Sequence, residues 1–327
     1  MNLKNLMARN KKIYHRNDAR HALSGLKLQS RRILWLTLAQ QDKDQDGMVV
    51  FDPDLTYVIT AKEYAKLCDV DESVAYKQLK EGIKEIRTYP MEVPESEILS
   101  EKERASKVKD RVVIFTVANH GVYSDGSGYI ELKLDPIIAP YISNLKSQFT
   151  GQFLLSALRL PNTNANRLYL LLREWVSSGM YICKDVLVDE LKEKLYVENI
   201  KTYTAFKDFN KLFIARSINK VIESTEFTKI DMEIIERRKR KAYMVRISYE
   251  YEGQEQDLRN SGFYLGQQKQ EKQTKEVEEK KEDPKSKKEK LDHPPSHATK
   301  SADMKQINGK WETRASAEAA GYIWDDY

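Results

Sequence analysis

The pattern of apolar and polar positions predicts a series of helices and strands in the first half of the chain. Residues 26–41 carry apolar side chains at helical spacing, which predicts an opening helix with Ser30 as a candidate N-cap. After a β-prone run, residues 60–87 read as two helices joined by a short turn. The stretches RVVIFTVA (111–118) and YIELKL (129–134) then predict a hairpin. Helix, strand, helix, helix and hairpin is the order of a winged helix.

The second half predicts the same order again. A strongly helical run at 166–176 leads through a short β-like segment at 181–182 to a second helix at 186–195. A long helical run from Tyr203 to Ile222 follows, and residues 227–251 form two β-prone arms around a basic turn. No sequence repeat is visible, but the repeated order indicates an α+β chain with two tandem winged-helix domains.

We predict the first winged-helix domain over residues 1–140 and the second over residues 141–252. From residue 253 the chain is dense in Lys and Glu and poor in apolar side chains, so residues 253–327 are expected to form a disordered charged tail. Aromatic residues return in the last stretch, WETRASAEAAGYIWDDY. This stretch fits a short partner-binding motif, and it equally fits an unspecific apolar terminus.

Composition narrows the class of protein. The chain has 327 residues and a net charge of +5, and residues 1–252 hold 41 basic against 35 acidic side chains. Its two cysteines, Cys68 and Cys183, cannot form a disulfide framework, which indicates a reducing compartment. No apolar run approaches the ~18–20 residues of a membrane span, and no secretory signal is visible. We therefore expect a soluble intracellular protein without a membrane partner.

The first helix-turn-helix candidate is TAKEYAKLCDVDESVAYKQLKEGIKEI, residues 60–86. Thr60 and Glu63 fit a capping box at its start. The apolar face of its second helix is predicted to comprise Val74, Ala75, Leu79, Ile83 and Ile86. On the opposite face the candidate DNA-binding residues are Ser73, Tyr76, Lys77 and Lys80. A merely solvated face, or a dimerisation helix, fits the same pattern, since two acidic residues at the helix start would repel phosphates.

The second candidate carries more positive charge. Its predicted buried face comprises Leu191, Leu195, Phe206, Phe209, Phe213, Ile218 and Ile222. Its candidate DNA-binding residues are Lys201, Thr204, Lys207, Asp208, Lys211 and Arg216, joined at the expected wing by Arg237, Arg238, Lys239, Arg240 and Lys241. A run of five cations in a turn between strands would neutralise phosphates and release counterions. A charged but uncommitted surface remains the alternative.

Residue types that carry enzyme chemistry are sparse. The histidines His15, His21, His120, His293 and His297 do not form the metal-binding pair of rolling-circle nicking enzymes. Phosphate-binding loops, CxxC pairs and the GxSxG motif do not occur. The acidic turn DKDQDG begins like a calcium loop, but Pro53 occupies the twelfth position where a bidentate Glu is needed. We expect no enzyme activity, no metal and no cofactor.

With these features on hand, the chain resembles the iteron-binding initiator Rep proteins of theta-replicating plasmids. Four stretches in order carry the resemblance: LKLQSRRILWLTLAQ, LDPIIAPYISNLKSQFTGQFLLSALRL, NRLYLLLREW, and YTAFKDFNKLFIARSINKVI followed by IERRKRKAYMVRISYEY. The resemblance as a whole covers about residues 5–251. The tail is not covered.

The resemblance implies that the second domain reads a repeated origin site, while the first domain dimerises and makes auxiliary contacts. In the family an acid and a cation one turn later face bases, and these positions are Asp208 and Lys211 here. Ala205 stands where the family often has a basic residue, which would shift base contacts toward Lys201, Thr204 or Lys207.

The function implied is that of an initiator which binds iterons, opens the origin, recruits the host replicative helicase or initiator, and represses its own gene. Implied partners are double-stranded origin DNA, host replication proteins and a second copy of the chain in equilibrium with the monomer. A dimeric winged-helix repressor without an initiation role is the alternative.

Overall fold

The structure is a computed structural model in which residues 6–17, 23, 25–45, 49–95, 111–143, 145 and 149–261 are described, with the backbone of 304–307 and 310–313. The chain divides into two compact units, Met1–Tyr264 and Leu265–Tyr327. Among the described residues no helix has the length and apolarity needed to cross a membrane.

The first winged helix follows the predicted order. Its elements are β1 (Lys12–Arg16), α1 (Leu28–Leu38), β2 (Tyr57–Thr60), α2 (Ala61–Cys68), α3 (Glu72–Thr88), β3 (Pro90–Pro94), β4 (Val112–Thr116), β5 (Ala118–Tyr123) and β6 (Tyr129–Leu134). A 3₁₀ turn (Pro136–Ile138) and the short helix α4 (Ala139–Ile142) close it. The sheet order is β2-β6-β5, antiparallel throughout.

The second winged helix repeats that arrangement. Its elements are β7 (Phe149–Phe153), α5 (Leu154–Arg159), α6 (Thr163–Ser177), β8 (Cys183–Leu187), α7 (Val188–Lys194), a 3₁₀ turn (Lys201–Tyr203), α8 (206–224), β9 (Phe227–Arg238) and β10 (Lys241–Tyr251). The sheet order is β8-β10-β9, so in both domains the last wing strand lies between the first wing strand and the strand that precedes the helix-turn-helix. The predicted repetition of elements is confirmed.

Local sequence explains the first helix-turn-helix. At the start of α2 the Glu63 backbone N–H donates to the Thr60 hydroxyl, and the Thr60 backbone N–H donates to the Glu63 carboxylate, which confirms the predicted capping box. At Gly82 a Cβ atom would come within 2.6 Å of the Ile33 side chain, so glycine permits α3 to approach α1 closely. The N-cap prediction for Ser30 is wrong, because α1 begins at Leu28 and the Ser30 hydroxyl instead donates across that contact to Glu85.

The two winged helices are joined by backbone and by buried arginines. Strand β1, the first element of the first domain, pairs antiparallel with β7, the first element of the second domain. The buried Arg31 donates to Asn166 at 2.9 Å. The buried Arg32 donates to the Leu160 carbonyl at 2.9 Å and to Gln78 on α3 at 3.1 Å. Because buried charged groups need such partners, these bonds fix the first domain's helices against the second domain.

The predicted first hairpin is wrong in its pairing. Residues 112–116 pair with β3, and the wing hairpin is β5 with β6 around the turn 124–128. The polar stretch 119–123 was expected to belong to the turn, but it forms β5. Gly121 lies against Ile83 of α3, where a Cβ atom would come within 3.0 Å. The glycine in this stretch therefore permits close packing of a strand on α3 and does not mark a loop.

The predicted start of the tail is also wrong. Residues Gln254–Asn260 form a further helix, α9, whose Leu258 is buried and whose Asp257 accepts a hydrogen bond from Tyr251 at 2.9 Å. In the second unit two short strands, β11 (Met304–Ile307) and β12 (Lys310–Thr313), pair antiparallel. Residues 314–327 of the aromatic terminal motif, together with the rest of the predicted tail, lie outside the described residues.

Candidate nucleic-acid interface

The recognition helix of the second domain, α8, contains a π-helical turn. It is α-helical over Phe206–Asp208, π-helical over Phe209–Ile214 and α-helical again over Ala215–Ser224. A regular α-helix turns about 100° per residue and would bring positions 216 and 220 to the face of Phe209. The π turn adds about one residue, so burial moves to Ser217 and Val221.

This shift corrects the predicted core face. Ile218 and Ile222 are only half-buried, as is Phe206, while Ser217 and Val221 occupy the core. Without the additional residue, the side chains turned toward the core would be Arg216 and Lys220. The π turn therefore leaves Arg216 exposed, and π turns are common at functional sites for reasons of this kind.

The exposed side of α8 carries the predicted base-contacting pair. Lys207, Asp208 and Lys211 are exposed, and their side chains have no hydrogen-bond or ion-pair partner among the described residues. Arg216 lines a cavity of about 580 Å³ together with Thr202 and the first residues of α6. This surface offers both an acceptor and several cations to a duplex.

Two polar side chains of this region have partners within the protein. Thr204 donates its hydroxyl to the Lys201 carbonyl at 2.8 Å, and its own carbonyl accepts from Lys192 at 3.1 Å. Lys201 itself is exposed. Lys220 is half-buried and pairs with Glu223 at 2.7 Å, so it contributes less free charge than the sequence predicts.

The wing of the second domain ends in a two-residue turn with unusual backbone angles. Lys239 (φ 47°) and Arg240 (φ 67°) both lie in the left-handed region between the paired residues Arg238 and Lys241. Such turns strongly favour Asn-Gly, and each non-glycine residue in this region is costly. Here cations hold both positions, and all five side chains from Arg237 to Lys241 are exposed. Strain of this kind at a charged tip points to function.

One wing cation has partners within the wing. The Arg238 Nε donates to Glu236 at 2.7 Å, and its guanidinium carbon lies 3.5 Å from the centroid of the Tyr243 ring. The hydrogen bond to Glu236 raises the pKa of Arg238 further. The role of Glu236 was not predicted from the sequence. Residues two apart on a strand lie on the same face, so the spacing of Glu236 and Arg238 is the signal that indicates their contact.

A buried polar network lies at the start of the first wing strand, β9. Glu226, one residue before β9, accepts hydrogen bonds from Ser156 at 2.7 Å and from Tyr169 at 3.2 Å, and it lies 3.5 Å from the Arg173 guanidinium. Burial, helped by the Glu226 carboxylate, holds the pKa of Tyr169 well above its usual range, so its hydroxyl remains a donor. Arg173 also donates to the Gly151 carbonyl on β7 at 2.8 Å.

The first domain's recognition helix contacts its own wing. On α3 the Tyr76 hydroxyl donates to the Ser124 carbonyl at 2.5 Å, and Lys80 pairs with Asp125 at 2.6 Å. Lys80 also lies over the Tyr123 ring. Ser73 and Lys77 are exposed. Two of the four predicted contacts in this domain therefore already have partners.

Val74 was predicted to belong to the apolar face of α3, and this is wrong, because its side chain is 41% exposed. Asp71 is the N-cap of this helix, so Val74 lies in its first turn, ahead of the stretch that packs on α1.

The described residues hold little reactive chemistry. They contain no group of three or more His, Cys, Asp or Glu side chains placed to hold a metal ion. Burial raises the pKa of the Cys68 thiol to about 12, so this cysteine is a core residue and not a nucleophile.

Two family models match the chain. "Initiator Replication protein, WH1" matches residues 12–173, and "Initiator Rep protein, WH2" matches residues 187–249. The PI protein of Escherichia coli is 29% identical over 270 residues, which cover 76% of this chain and 86% of that protein. An uncharacterized 27.6 kDa protein of Escherichia coli is 27% identical over 177 residues, covering 52% of this chain and 70% of that protein.

A solved structure is similar over the same region. It is described as the Pi initiator protein in complex with iteron DNA, and it aligns with a TM-score of 0.64 at 28% identity. The alignment covers 75% of this chain and 99% of that one. These matches agree with the repeated sheet order and the paired helix-turn-helix elements. The chain belongs to the initiator replication protein family, whose members combine two winged-helix domains.

Proposed function

We propose that this protein is a plasmid replication initiator that binds directly repeated iterons at its origin. The observation that supports this most is the surface of α8 and its wing. There the side chains of Lys207, Asp208 and Lys211 have no partner among the described residues, and the five wing cations lie exposed. A helix with free polar side chains fits a major groove, and a basic wing beside it fits the phosphate backbone. The similar Pi initiator has been solved with iteron DNA, which supports the same class of site here.

Asp208 and Lys211 are proposed to contact base edges, with Lys201, Thr204, Lys207 and Arg216 beside them. Asp208 suits a cytosine amino group, which donates, and Lys211 suits the acceptors of a guanine. In the first domain Ser73 and Lys77 would make auxiliary contacts, joined by Tyr76 and Lys80 where their contacts to the wing allow it.

Bound copies would open an adjacent AT-rich segment and recruit the host replicative helicase or initiator. A second copy of the chain would pair through the first domain and repress the gene. The cytoplasm of a bacterium is the compartment that this role requires.

A binding experiment tests the core of the proposal. Full-length protein is titrated against a duplex carrying the direct repeats beside its gene, and against a scrambled duplex of equal composition. We expect clear preference for the repeats. The variant Lys239→Ala with Arg240→Ala should weaken both complexes alike and flatten the salt slope by roughly one to two units. Equal affinity of the unchanged protein for both duplexes would contradict the proposal.

A second experiment separates initiation from repression. Supercoiled plasmid with the repeats and the AT-rich segment is incubated with the protein, and unpaired thymines are detected with permanganate. An initiator exposes thymines in the AT-rich segment, whereas a repressor leaves the duplex closed. The plasmid should remain unnicked, because a nicking enzyme would cut a strand and form a covalent tyrosine adduct.

A further inference from the structure

The five cations of the second wing are not equivalent. The side chains of Arg237, Lys239, Arg240 and Lys241 have no ion-pair or hydrogen-bond partner among the described residues, so they are free to contact successive phosphates. Arg238 alone among the five is held by neighbours, through its Nε bond to Glu236 and its 3.5 Å contact with the Tyr243 ring. Because only the Arg238 side chain is held in place, we expect it to contact DNA in a different way from the other four cations.

The backbone of the wing places these partners. Arg238 pairs with Lys241 and Arg237 with Ala242, but Glu236 is opposite Met244, so the regular register is interrupted at Tyr243. Such irregularities in a ladder re-aim side chains and are common beside functional sites. Here the interruption occurs at the residue whose ring lies under the Arg238 guanidinium. Glu236 and Arg238, two residues apart on β9, share one face of the strand.

These contacts lower the value of Arg238 as a general phosphate ligand. The nearby carboxylate partly cancels its charge, so less counterion is released when it meets a phosphate. At the same time they fix its direction. Since Nε is engaged and one flat face is covered, the terminal nitrogens Nη1 and Nη2 are the donors left for an external acceptor. Two donors in a fixed fork match a pair of acceptors on a base edge.

We propose, on the basis of the function proposed above, that Arg238 reads acceptor atoms on a base edge while the other four wing cations contact phosphates. Glu236 and Tyr243 are its positioning residues. Glu236 in addition acts against binding at random sequence, since its negative charge lies beside the wing tip and is offset only where Arg238 finds its acceptors.

The first test replaces the fork and retains the charge. Arg238→Lys is titrated against the duplex that the unchanged full-length protein selects from a random library, against single base-pair variants of it, and against a scrambled duplex. We expect unchanged affinity and salt slope on the scrambled duplex, and a loss of roughly tenfold or more in discrimination at one or two base pairs. Arg237→Ala serves as the comparison, since it should weaken all duplexes by one factor and flatten the salt slope by about one unit.

The second test removes the competing carboxylate. Glu236→Gln should strengthen binding to the scrambled duplex by about three- to fourfold near 0.2 M salt relative to the unchanged protein, and steepen its salt slope by about one unit. The selected duplex should gain less, so the ratio of the two affinities falls. Glu233→Gln is the matched control, because it removes the same charge from the same strand farther from the turn and leaves the Arg238 contacts intact. Tyr243→Leu should reduce discrimination by about two- to fivefold.

The outcomes separate the two proposals. If Arg238→Lys retains discrimination at every base pair, or Glu236→Gln changes both duplexes by the same factor as Glu233→Gln, Arg238 is another phosphate contact and this inference is overturned. If the unchanged protein selects no sequence at all, the proposed function itself has failed. Thermal unfolding curves that match the unchanged protein show that each variant is folded.

Discussion

The two winged helices have the same sheet order, but their wings differ in charge and in their contacts with the recognition helix. In the first domain the wing turn is acidic and glycine-containing, and it lies against its own recognition helix through Tyr76–Ser124 and Lys80–Asp125. In the second domain the wing turn is cationic, strained and without contacts to α8 of this kind. The first wing turn is therefore held by its recognition helix, whereas most cations of the second wing turn have no side-chain partner among the described residues.

Two domains with the same topology therefore need not offer equivalent DNA-binding surfaces. Lys80 on α3 and Lys211 on α8 each lie on the exposed side of a recognition helix, yet only Lys211 is without a protein partner among the described residues. The anchors also differ: the second wing starts beside a buried Arg173–Glu226 pair, while the first is tied by an exposed one. Four experiments sharpen this comparison.

The largest effect is expected at the buried anchor. Arg173→Ala leaves the Glu226 carboxylate buried without its cation, which should lower the free energy of unfolding by about 3–5 kcal/mol. Urea unfolding followed by circular dichroism measures this. Combining it with Glu226→Gln should restore part of the loss, because the uncompensated charge is gone. A loss below 1 kcal/mol in the single variant would show that the second wing does not depend on this pair.

The next effect concerns the free face of α8. Lys211→Ala should lose about 1–3 kcal/mol of discrimination at one base pair, since a lysine on a base edge contributes specificity. A base-pair substitution scan of the selected duplex measures it. Lys80→Ala is the counterpart in the first domain, and its effect at any single base pair should be smaller because Asp125 already holds it. Equal effects of the two variants would remove the distinction between the helices.

A smaller effect is expected from relaxing the second wing turn. Replacing Lys239 with Asn and Arg240 with Gly should raise the free energy of unfolding by about 1 kcal/mol, because these residues suit positive φ. DNA affinity should fall at the same time, since two cations are lost. The matched control, Lys239→Ala with Arg240→Ala, loses the same charges and should gain no stability. A gain in the control would mean that charge repulsion, and not backbone strain, is relieved.

The smallest effect is expected at the exposed pair of the first domain. Asp125→Asn should change the free energy of unfolding less than any of the variants above, because exposed ion pairs contribute little to stability. Lys80 lowers the pKa of Asp125, so whatever the pair contributes is present above the unfolded pKa of the carboxyl and is lost as pH falls through the lower folded value. Thermal unfolding from pH 7 to pH 2 would show this difference between the variant and the unchanged protein.

Much of the fold could be predicted, because periodicity and caps are local signals. The capping box at Thr60 and the twofold order of elements are examples. The errors came from features that depend on tertiary contact. The polar stretch around Gly121 is a strand because it packs on α3, and the π turn in α8 moves the core face from Ile218 to Ser217. A pattern that assumes regular helices cannot detect an additional residue in one turn.

The candidate site shows the same limit. Clusters of charge are visible in a sequence, so the wing cations and the Lys207–Lys211 region could be predicted as candidates. Which cations are already paired could not, since Lys80 meets Asp125 across 45 residues of sequence. The contact of Arg238 with the Tyr243 ring occurs at a local interruption in strand register, and no residue type in the sequence indicates that interruption.

The pairing of β1 with β7 has a consequence for synthesis on the ribosome. Residues 12–16 emerge early, but their partners at 149–153 follow more than a hundred residues later. The backbone groups of β1 therefore lack their native partners until residues 149–153 have been synthesised. Pairing of strands so far apart in sequence is a slow step in folding. During that interval the strand can meet another nascent chain, so coding sequence that slows translation before residue 150 should lower the yield of native protein.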